Sequence, residues 1–238
     1  MRALRVARDA ELRGAAHVFT PSAYLRGLAI AWGVDAVRVS VLPNPAPALS
    51  ELAPRDELRR SFELDGPTLA FAGRLTAQKS LDVAIAAVAG VDGVNLVIAG
   101  DGDQRARLER GAHECVRFIG VLPRERVLEL FRAADATILS SSWENFPHTV
   151  VEALAVGTPV ISTDSGGVSE VVHDGENGLL VPAGDAAALA AAVRRFFEDE
   201  PLRDRLRAAA APSVVDYSAE RVLGRLEETL VRIAQTRK

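Results

Sequence analysis

A Rossmann-like α/β fold built on a parallel sheet is predicted by three observations. Short apolar runs alternate with amphipathic segments from Pro67 onward, the connections between them are brief, and glycines stand mostly where a strand or helix ends. Strands alternating with helices imply a parallel sheet covered on both faces. The pattern covers about residues 66–185.

Residues 68–72, 94–98, 116–119, 136–139, 159–161 and 178–181 read as strands, because each is a short apolar run bounded by turn residues. Between them, residues 81–89, 104–111, 124–133, 148–156 and 168–172 follow helical spacing. Gly73, Gly100, Gly120 and Gly157 fall at the ends of these elements, where tight turns are expected. Beyond the sheet, residues 185–198 and 201–211 read as helices, as do 219–235 with Val222, Leu223, Leu226, Leu230 and Ile233 on one stripe. That stripe needs a partner surface. At the front, residues 17–20 and 37–42 look like two strands flanking a helical segment at 22–32, and the proline-rich 43–47 reads as a linker. Two strands and a helix do not make a stable sheet domain alone, so the front reads as the tail of a domain.

Composition narrows the function classes. A chain of 238 residues with 48% hydrophobic and 25% charged residues is that of a soluble globular protein. A net charge of −4 argues against a nucleic-acid partner. Cys115 is the only cysteine, which excludes an internal disulfide and a cysteine-built zinc site. No apolar run approaches the roughly 20 residues of a membrane span and no secretory core opens the chain, so the cytoplasm is the expected compartment. Arg2, Arg5, Arg8 and Arg13 with Leu4 and Leu12 read as a solvated helix face, with a peripheral seat on the inner membrane face as the alternative.

The richest stretch runs from Ser142 to Glu152. Glu144 falls on a loop after the 136–139 strand, and Glu152 about a turn into the following helix, with Pro147 where a first turn tolerates proline. In open α/β sheets ligands bind at that edge, and a helix start there offers free N–H groups to an anion. Two acceptor-only carboxylates beside an anion site suit a ligand carrying both hydroxyls and phosphates, such as a nucleotide sugar. Against an otherwise arginine-rich background, Lys79 is the single internal lysine. With Arg74 it lies on a strand-to-helix loop where two cations fit a diphosphate clamp, and equally well an ordinary solvated loop. Ser80 is a candidate N-cap. Gly100-Asp101-Gly102-Asp103 lacks the third glycine of a dinucleotide site and reads better as a structural turn. For Gly166-Gly167, approach of the backbone to a ligand and plain turn chemistry explain the pair equally. The histidines at 17, 113, 148 and 173 show no metal-ligand spacing; His148 alone sits at the mouth of the Glu144–Glu152 segment.

Gly73-Arg74-Leu75 with Lys79, Glu144-Asn145-Phe146-Pro147 with Glu152, Gly157-Thr158-Pro159-Val160-Ile161, Gly166-Gly167 with Glu170, and Asp174-Gly175-Glu176-Asn177-Gly178-Leu179-Leu180-Val181 occur in this order. The series resembles the donor-binding half of the family 4 glycosyltransferases, which have the two-domain GT-B fold. The resemblance runs from about residue 68 to residue 185. It is specific, because the Glu-x7-Glu element and the Gly-Arg-Leu-x3-Lys loop occur together. Pro21-Ser22 and Val41-Leu42-Pro43-Asn44 resemble the end of that family's acceptor domain and its linker. Ser80 stands where the family usually has glycine, and Pro45 follows Asn44 where glycine is commoner. The opening of an acceptor domain, with its usual histidine and glycine-rich loop, finds no match, and His17 is not in a matching context.

The resemblance implies a fold, a reaction and a set of residues. The fold would be the Rossmann-like C-terminal domain of a GT-B glycosyltransferase at 46–212. A remnant of the acceptor domain and linker would precede it at 1–45, and a C-terminal helix at 213–238 would pack back toward the N-terminal part. The reaction would be retaining, hexosyl-type transfer from a nucleotide-diphosphate sugar to the hydroxyl of a glycan, lipid-linked or small-molecule acceptor. Neither a metal nor a cofactor is expected. Arg74 and Lys79 would neutralise the leaving diphosphate beside Gly73, and Glu144 would hold the sugar with Asn145 and Phe146 nearby. The amides of His148, Thr149 and Val150 would face the phosphates, Glu152 would bind the ribose, and the backbone of Phe118, Ile119, Gly120 and Val121 would hold the base. The alternative is a non-catalytic or split-enzyme donor-binding subunit that needs a separate acceptor-domain chain as partner.

Overall fold

The computed structural model describes residues 11–12 and 14–236; Arg2, Leu4, Arg5, Arg8 and Arg13 lie outside them. A front unit comprises β1 (Val18–Thr20), α1 (Ala23–Ala31) and β2 (Val39–Val41), with β1 and β2 paired in parallel, Val18 opposite Val39. The expected strand at 37–42 starts late. Asp35 accepts a hydrogen bond from the Val37 N–H and turns Ala36–Arg38 into a 3₁₀ segment. Ala29, Val34 and Val39 form a small core of their own, with Leu12, Val18 and Ile30 packed against it.

The main body follows with α2 (Arg55–Ser61), β3 (Thr68–Ala72), α3 (Leu81–Ala89), β4 (Asn95–Ala99), α4 (Arg105–Gly111), β5 (Val116–Gly120), α5 (Arg124–Ala133), β6 (Ala136–Leu139), α6 (His148–Ala155), β7 (Val160–Asp164), β8 (Gly178–Pro182), α7 (Ala186–Glu198), α8 (Glu200–Ala210) and α9 (Ala219–Thr236). Six strands pair in parallel in the order β5-β4-β3-β6-β7-β8. Every residue of β3 and β6 is buried, as a central strand covered on both faces requires. Helix α2 has no counterpart among the expected helices, because only Leu58 of its seven residues is buried and the periodic signal is lost among its charges.

Two other expectations need correction. Residues 168–172 form a 3₁₀ turn, Val168–Glu170, and not an α-helix. The Asn177 side chain ends it, donating to the Val171 carbonyl at 2.9 Å and accepting from the His173 N–H at 2.7 Å. The apolar stripe of α9 is only partly open: Val222 is buried, Leu226 and Ile233 are half-buried, and Leu223 and Leu230 are exposed. The far end of α9 brings Arg232 toward His17. Burial first, and then the Arg232 charge, hold that imidazole below its ordinary pKa. Residues 43–47 are pinned, since the Ala46 N–H donates to the Tyr217 carbonyl at 2.7 Å. Among the described residues no helix is long and apolar enough to cross a membrane.

The chain builds outward in both directions from the centre of the sheet. From β3 it adds β4 and β5 on one side, then crosses back to place β6 beside β3 and continues to β7 and β8. The loops leaving β3 and β6 therefore part at the carboxyl edge and leave a crevice between them. Glycines let their neighbours close in on these loops. A β-carbon on Gly100 would lie 1.9 Å from the Gly73 carbonyl oxygen, and one on Gly166 would lie 1.9 Å from that of Glu144. Gly93 also has positive φ, but open space surrounds it. Gly100→Ala should therefore destabilise by about 3 kcal/mol or more, and Gly93→Ala by only about 1 kcal/mol, the backbone term alone. Denaturant unfolding of the two variants measures the difference.

Candidate functional site

Each side of the crevice is stapled to the other by main-chain carbonyls. Ser140 Oγ donates to the Lys79 carbonyl at 2.9 Å, while the Ser142 N–H and Oγ donate to the Gln78 carbonyl at 2.9 and 3.1 Å. Gln78 Nε2 returns a bond to the Trp143 carbonyl at 2.6 Å. The loop after β3 is thereby fixed against the loop after β6. Ser80, the residue that ends the first loop, occupies the N-cap position of α3, yet its side chain makes no cap and its φ of 45° is left-handed. Its hydroxyl donates instead to the Ala77 carbonyl at 3.3 Å. The expected serine cap is thus corrected: the backbone there adopts a conformation suited to glycine.

Two adjoining cavities open on this edge. One, of about 400 Å³, is lined by Gly73, Asp101, Val121, Leu122, Arg124 and Glu152 among others. The second, of about 340 Å³, is lined by Pro21, Asn44, Gln78, Lys79, Trp143, Glu144, Asn145, Phe146, Pro147 and His148. Arg74 and Thr149 line both, so they stand where the two meet.

In the second cavity the Lys79 ammonium donates to Glu144 Oε1 at 2.5 Å, and Ser141 Oγ donates to the same oxygen at 2.6 Å. The pair is well buried, with side-chain exposures of 16% and 8%. Glu144 Oε2 has no protein donor among the described residues, and an ammonium has two protons beyond the one it spends here. Arg74 is exposed, and its guanidinium has no protein acceptor among the described residues. In the first cavity Glu152 accepts from Arg124 at 3.0 Å. An open guanidinium is therefore flanked by one carboxylate in the first cavity and by a carboxylate–ammonium pair in the second.

Not every expected residue comes together here. Val121 lines the first cavity, but Phe118, Ile119 and Gly120 do not; Phe118 and Ile119 pack against the main core. Of the three α6 amides, His148 N–H donates to the Phe146 carbonyl and Val150 N–H to the Pro147 carbonyl, so both are already satisfied. Of the three, the Thr149 N–H alone has no protein acceptor among the described residues. The Val150 side chain is in the core. His148 lines the second cavity and receives a hydrogen bond from the Asn44 amide at 3.0 Å. Arg124, Asn44, Gln78 and Trp143 were missed by sequence reasoning. Arg124 opens α5 and Asn44 lies in the linker, and neither has a local pattern that places it at the crevice. Among the described residues no group of three His, Cys, Asp or Glu is placed to hold a metal ion.

This architecture is that of the GT-B glycosyltransferases. The crystal structure of Anabaena Alr3699/HepE with UDP and glucose superimposes with a TM-score of 0.87 at 24% identity, over 96% of this chain and 66% of that one. Sucrose-phosphate synthase from Thermosynechococcus elongatus gives 0.87 at 26% identity, over 98% and 62%. Residues 54–212 match the family described as glycosyl transferases group 1, and the chain belongs to that family. Among curated relatives, a D-inositol 3-phosphate glycosyltransferase of Acidothermus cellulolyticus is 31% identical over 90% of this chain and 53% of its own length. A lipopolysaccharide core biosynthesis glycosyltransferase of Rhizobium meliloti is 36% identical over 63% of this chain and 45% of its own length. The chain thus spans about half the length of these curated relatives.

Two stability outcomes test the local chemistry. Ser80→Gly should leave stability unchanged or raise it by up to about 1 kcal/mol, because relief at a left-handed residue opposes the added chain entropy. Lys79→Ala should cost about 3 kcal/mol, because it strands a buried carboxylate. Thermal melts of both variants give the comparison.

Proposed function

We propose that this chain binds a nucleotide-diphosphate sugar across the two joined cavities and serves transfer of the sugar to an acceptor hydroxyl. The observation that carries this reading is the position of Arg74, a guanidinium without a protein acceptor among the described residues, where the cavities meet. A diphosphate is the ligand group that such a fork binds best, and the Thr149 N–H at the start of α6 adds a neutral donor there. The first cavity then takes the nucleoside, with Val121 and Leu122 against the base and Glu152 accepting from the ribose hydroxyls. The second takes the sugar, with Glu144 Oε2 open to its hydroxyls and Lys79 beside it. UDP and glucose in the Anabaena protein fit this division of ligand classes.

In the proposed reaction the bond between the anomeric carbon and the diphosphate oxygen breaks while Arg74 and Lys79 offset the charge growing on the leaving group. Stabilising charge that appears only in the transition state lowers the barrier directly. The acceptor oxygen bonds to the anomeric carbon on the face the diphosphate leaves, which gives retention as in the family 4 enzymes, and the acceptor's proton passes to the departing phosphate oxygen. The positive charge of Arg74 and Lys79 takes the part that a metal plays in other transferases.

Titration calorimetry with a nucleoside, its diphosphate and the matching nucleotide sugar tests the assignment. Arg74→Ala should weaken the diphosphate by about 1.5 kcal/mol, roughly tenfold, and leave the nucleoside unaffected. Glu152→Gln should weaken all three ligands. Glu144→Gln should weaken only the nucleotide sugar. Equal loss of nucleoside and diphosphate in Arg74→Ala would remove the phosphate assignment, and product stereochemistry by NMR decides retention.

A further inference from the structure

Glu170 lines neither cavity, yet it touches both aromatic walls of the second one through two tyrosines. Its carboxylate reaches across to the front unit and caps α1 from outside: the Ala23 N–H donates to Oε2 at 2.7 Å and the Tyr24 N–H to Oε1 at 2.8 Å. A carboxylate at a helix start is favoured by the free amides and by the helix dipole. The phenolic oxygen of the same Tyr24 accepts the indole N–H of Trp143 at 3.0 Å. On the other side, the Tyr217 hydroxyl donates to the Glu170 carbonyl at 3.1 Å, and the Tyr217 ring packs 5.7 Å from that of Phe146. Burial first, and then the Glu170 charge, raise the Tyr217 pKa.

Trp143 and Phe146 line the second cavity, and neither lines the first. Trp143 keeps 41% of its surface exposed there, an amphipathic ring with its polar end already bound. Resting on the donor-site reading above, we propose that Glu170 is a positioning residue for the sugar half of the site. By fixing α1 it holds Tyr24, and through Tyr24 it sets Trp143 as a platform for the C–H face of the donor's pyranose ring. Among the described residues no hydrogen bond joins Glu170, Tyr24 or Trp143 to a residue that lines the first cavity alone. The front unit therefore reports its seating to the sugar and not to the nucleotide.

The experiment uses the full chain and a panel of probes: UDP with UDP-glucose, GDP with GDP-mannose and ADP with ADP-glucose. The pair that binds most tightly is carried forward. Tyr24→Phe removes only the phenolic hydroxyl, Glu170→Ala removes both cap acceptors, and Glu170→Gln keeps one acceptor oxygen. Tyr24→Phe and Glu170→Ala should each weaken the nucleotide sugar by about fivefold or more, the size of one net hydrogen bond. The free diphosphate should stay within about twofold, and Glu170→Gln should fall between wild type and Glu170→Ala. In a Trp32→Phe background, where Trp143 is the one remaining tryptophan, both variants should redshift its emission and increase its quenching by acrylamide without any ligand. If Glu170→Ala does not fold, Tyr24→Phe decides, since it leaves the cap intact. Equal losses for sugar conjugate and diphosphate, or no loss for either, would overturn the relay while leaving the donor site in place. No binding of any probe by the wild-type chain would overturn the donor-site reading and this inference with it.

Discussion

The site depends on how closely main chain approaches main chain at the carboxyl edge of the sheet. Gly100 and Gly102 sit against the carbonyls of Gly73 and Leu75, while Gly166 and Gly167 sit against those of Glu144 and Asn145. In each case a β-carbon would fall within 2.4 Å of a carbonyl oxygen, far inside contact distance. These approaches hold the β3 and β6 loops between their outer neighbours. The serine and glutamine bonds between residues 78–79 and 140–143 then fix them to one another. Without the close approach Arg74 and Lys79 on one loop and Glu144 on the other would stand apart and share no cavity.

On that frame the charges are arranged unequally. Lys79 and Glu144 are taken out of water together, and Ser141 adds a second donor to the same carboxylate oxygen. Removing two ions from water costs more than their attraction returns unless the geometry is good and the remaining valences are met. Among the described residues one carboxylate oxygen and two ammonium protons are left without a partner, which leaves them open to the sugar in the proposed reading. Arg74 is the opposite case, exposed and without a protein acceptor among the described residues. A cation held at the meeting of two cavities on a rigid loop keeps its charge available to a ligand, and little reorganisation is needed when the ligand arrives.

The front unit is not a loose appendage to this site. Its helix is capped by Glu170, Gly167 packs against Ser22, and the linker is bonded to Tyr217 and His148. At the far side of the sheet Asp135 draws Arg55, Arg59 and Arg207 together and accepts from the Thr68 N–H, joining α2, α8 and the starts of β3 and β6. Burial, and then the nearness of Arg55, push the Arg207 pKa down. The two ends of the central strands are thus treated differently: a closed ion cluster at one, an open one at the other.

Much of this was legible in the chain itself. Alternating apolar runs and amphipathic segments determined the parallel sheet, and β3, β6, α3 and α5 fall on the expected residues, because buried strands and two-sided helices write their periodicity locally. The order of Gly-Arg-Leu-x3-Lys, Glu-x7-Glu and the glycine pair determined the GT-B resemblance and brought Arg74, Lys79, Glu144 and Glu152 to one edge. Only the tertiary structure decided that Lys79 pairs with Glu144, that Arg74 lines two cavities, and that the side chains of Phe118 and Ile119 pack against the core. It alone placed Arg124 on Glu152, Asn44 on His148 and Glu170 on the front helix. The reason is physical: periodicity records which face of an element is buried, whereas a pairing across 65 or 147 residues is set by where the crossovers of the sheet bring those faces together.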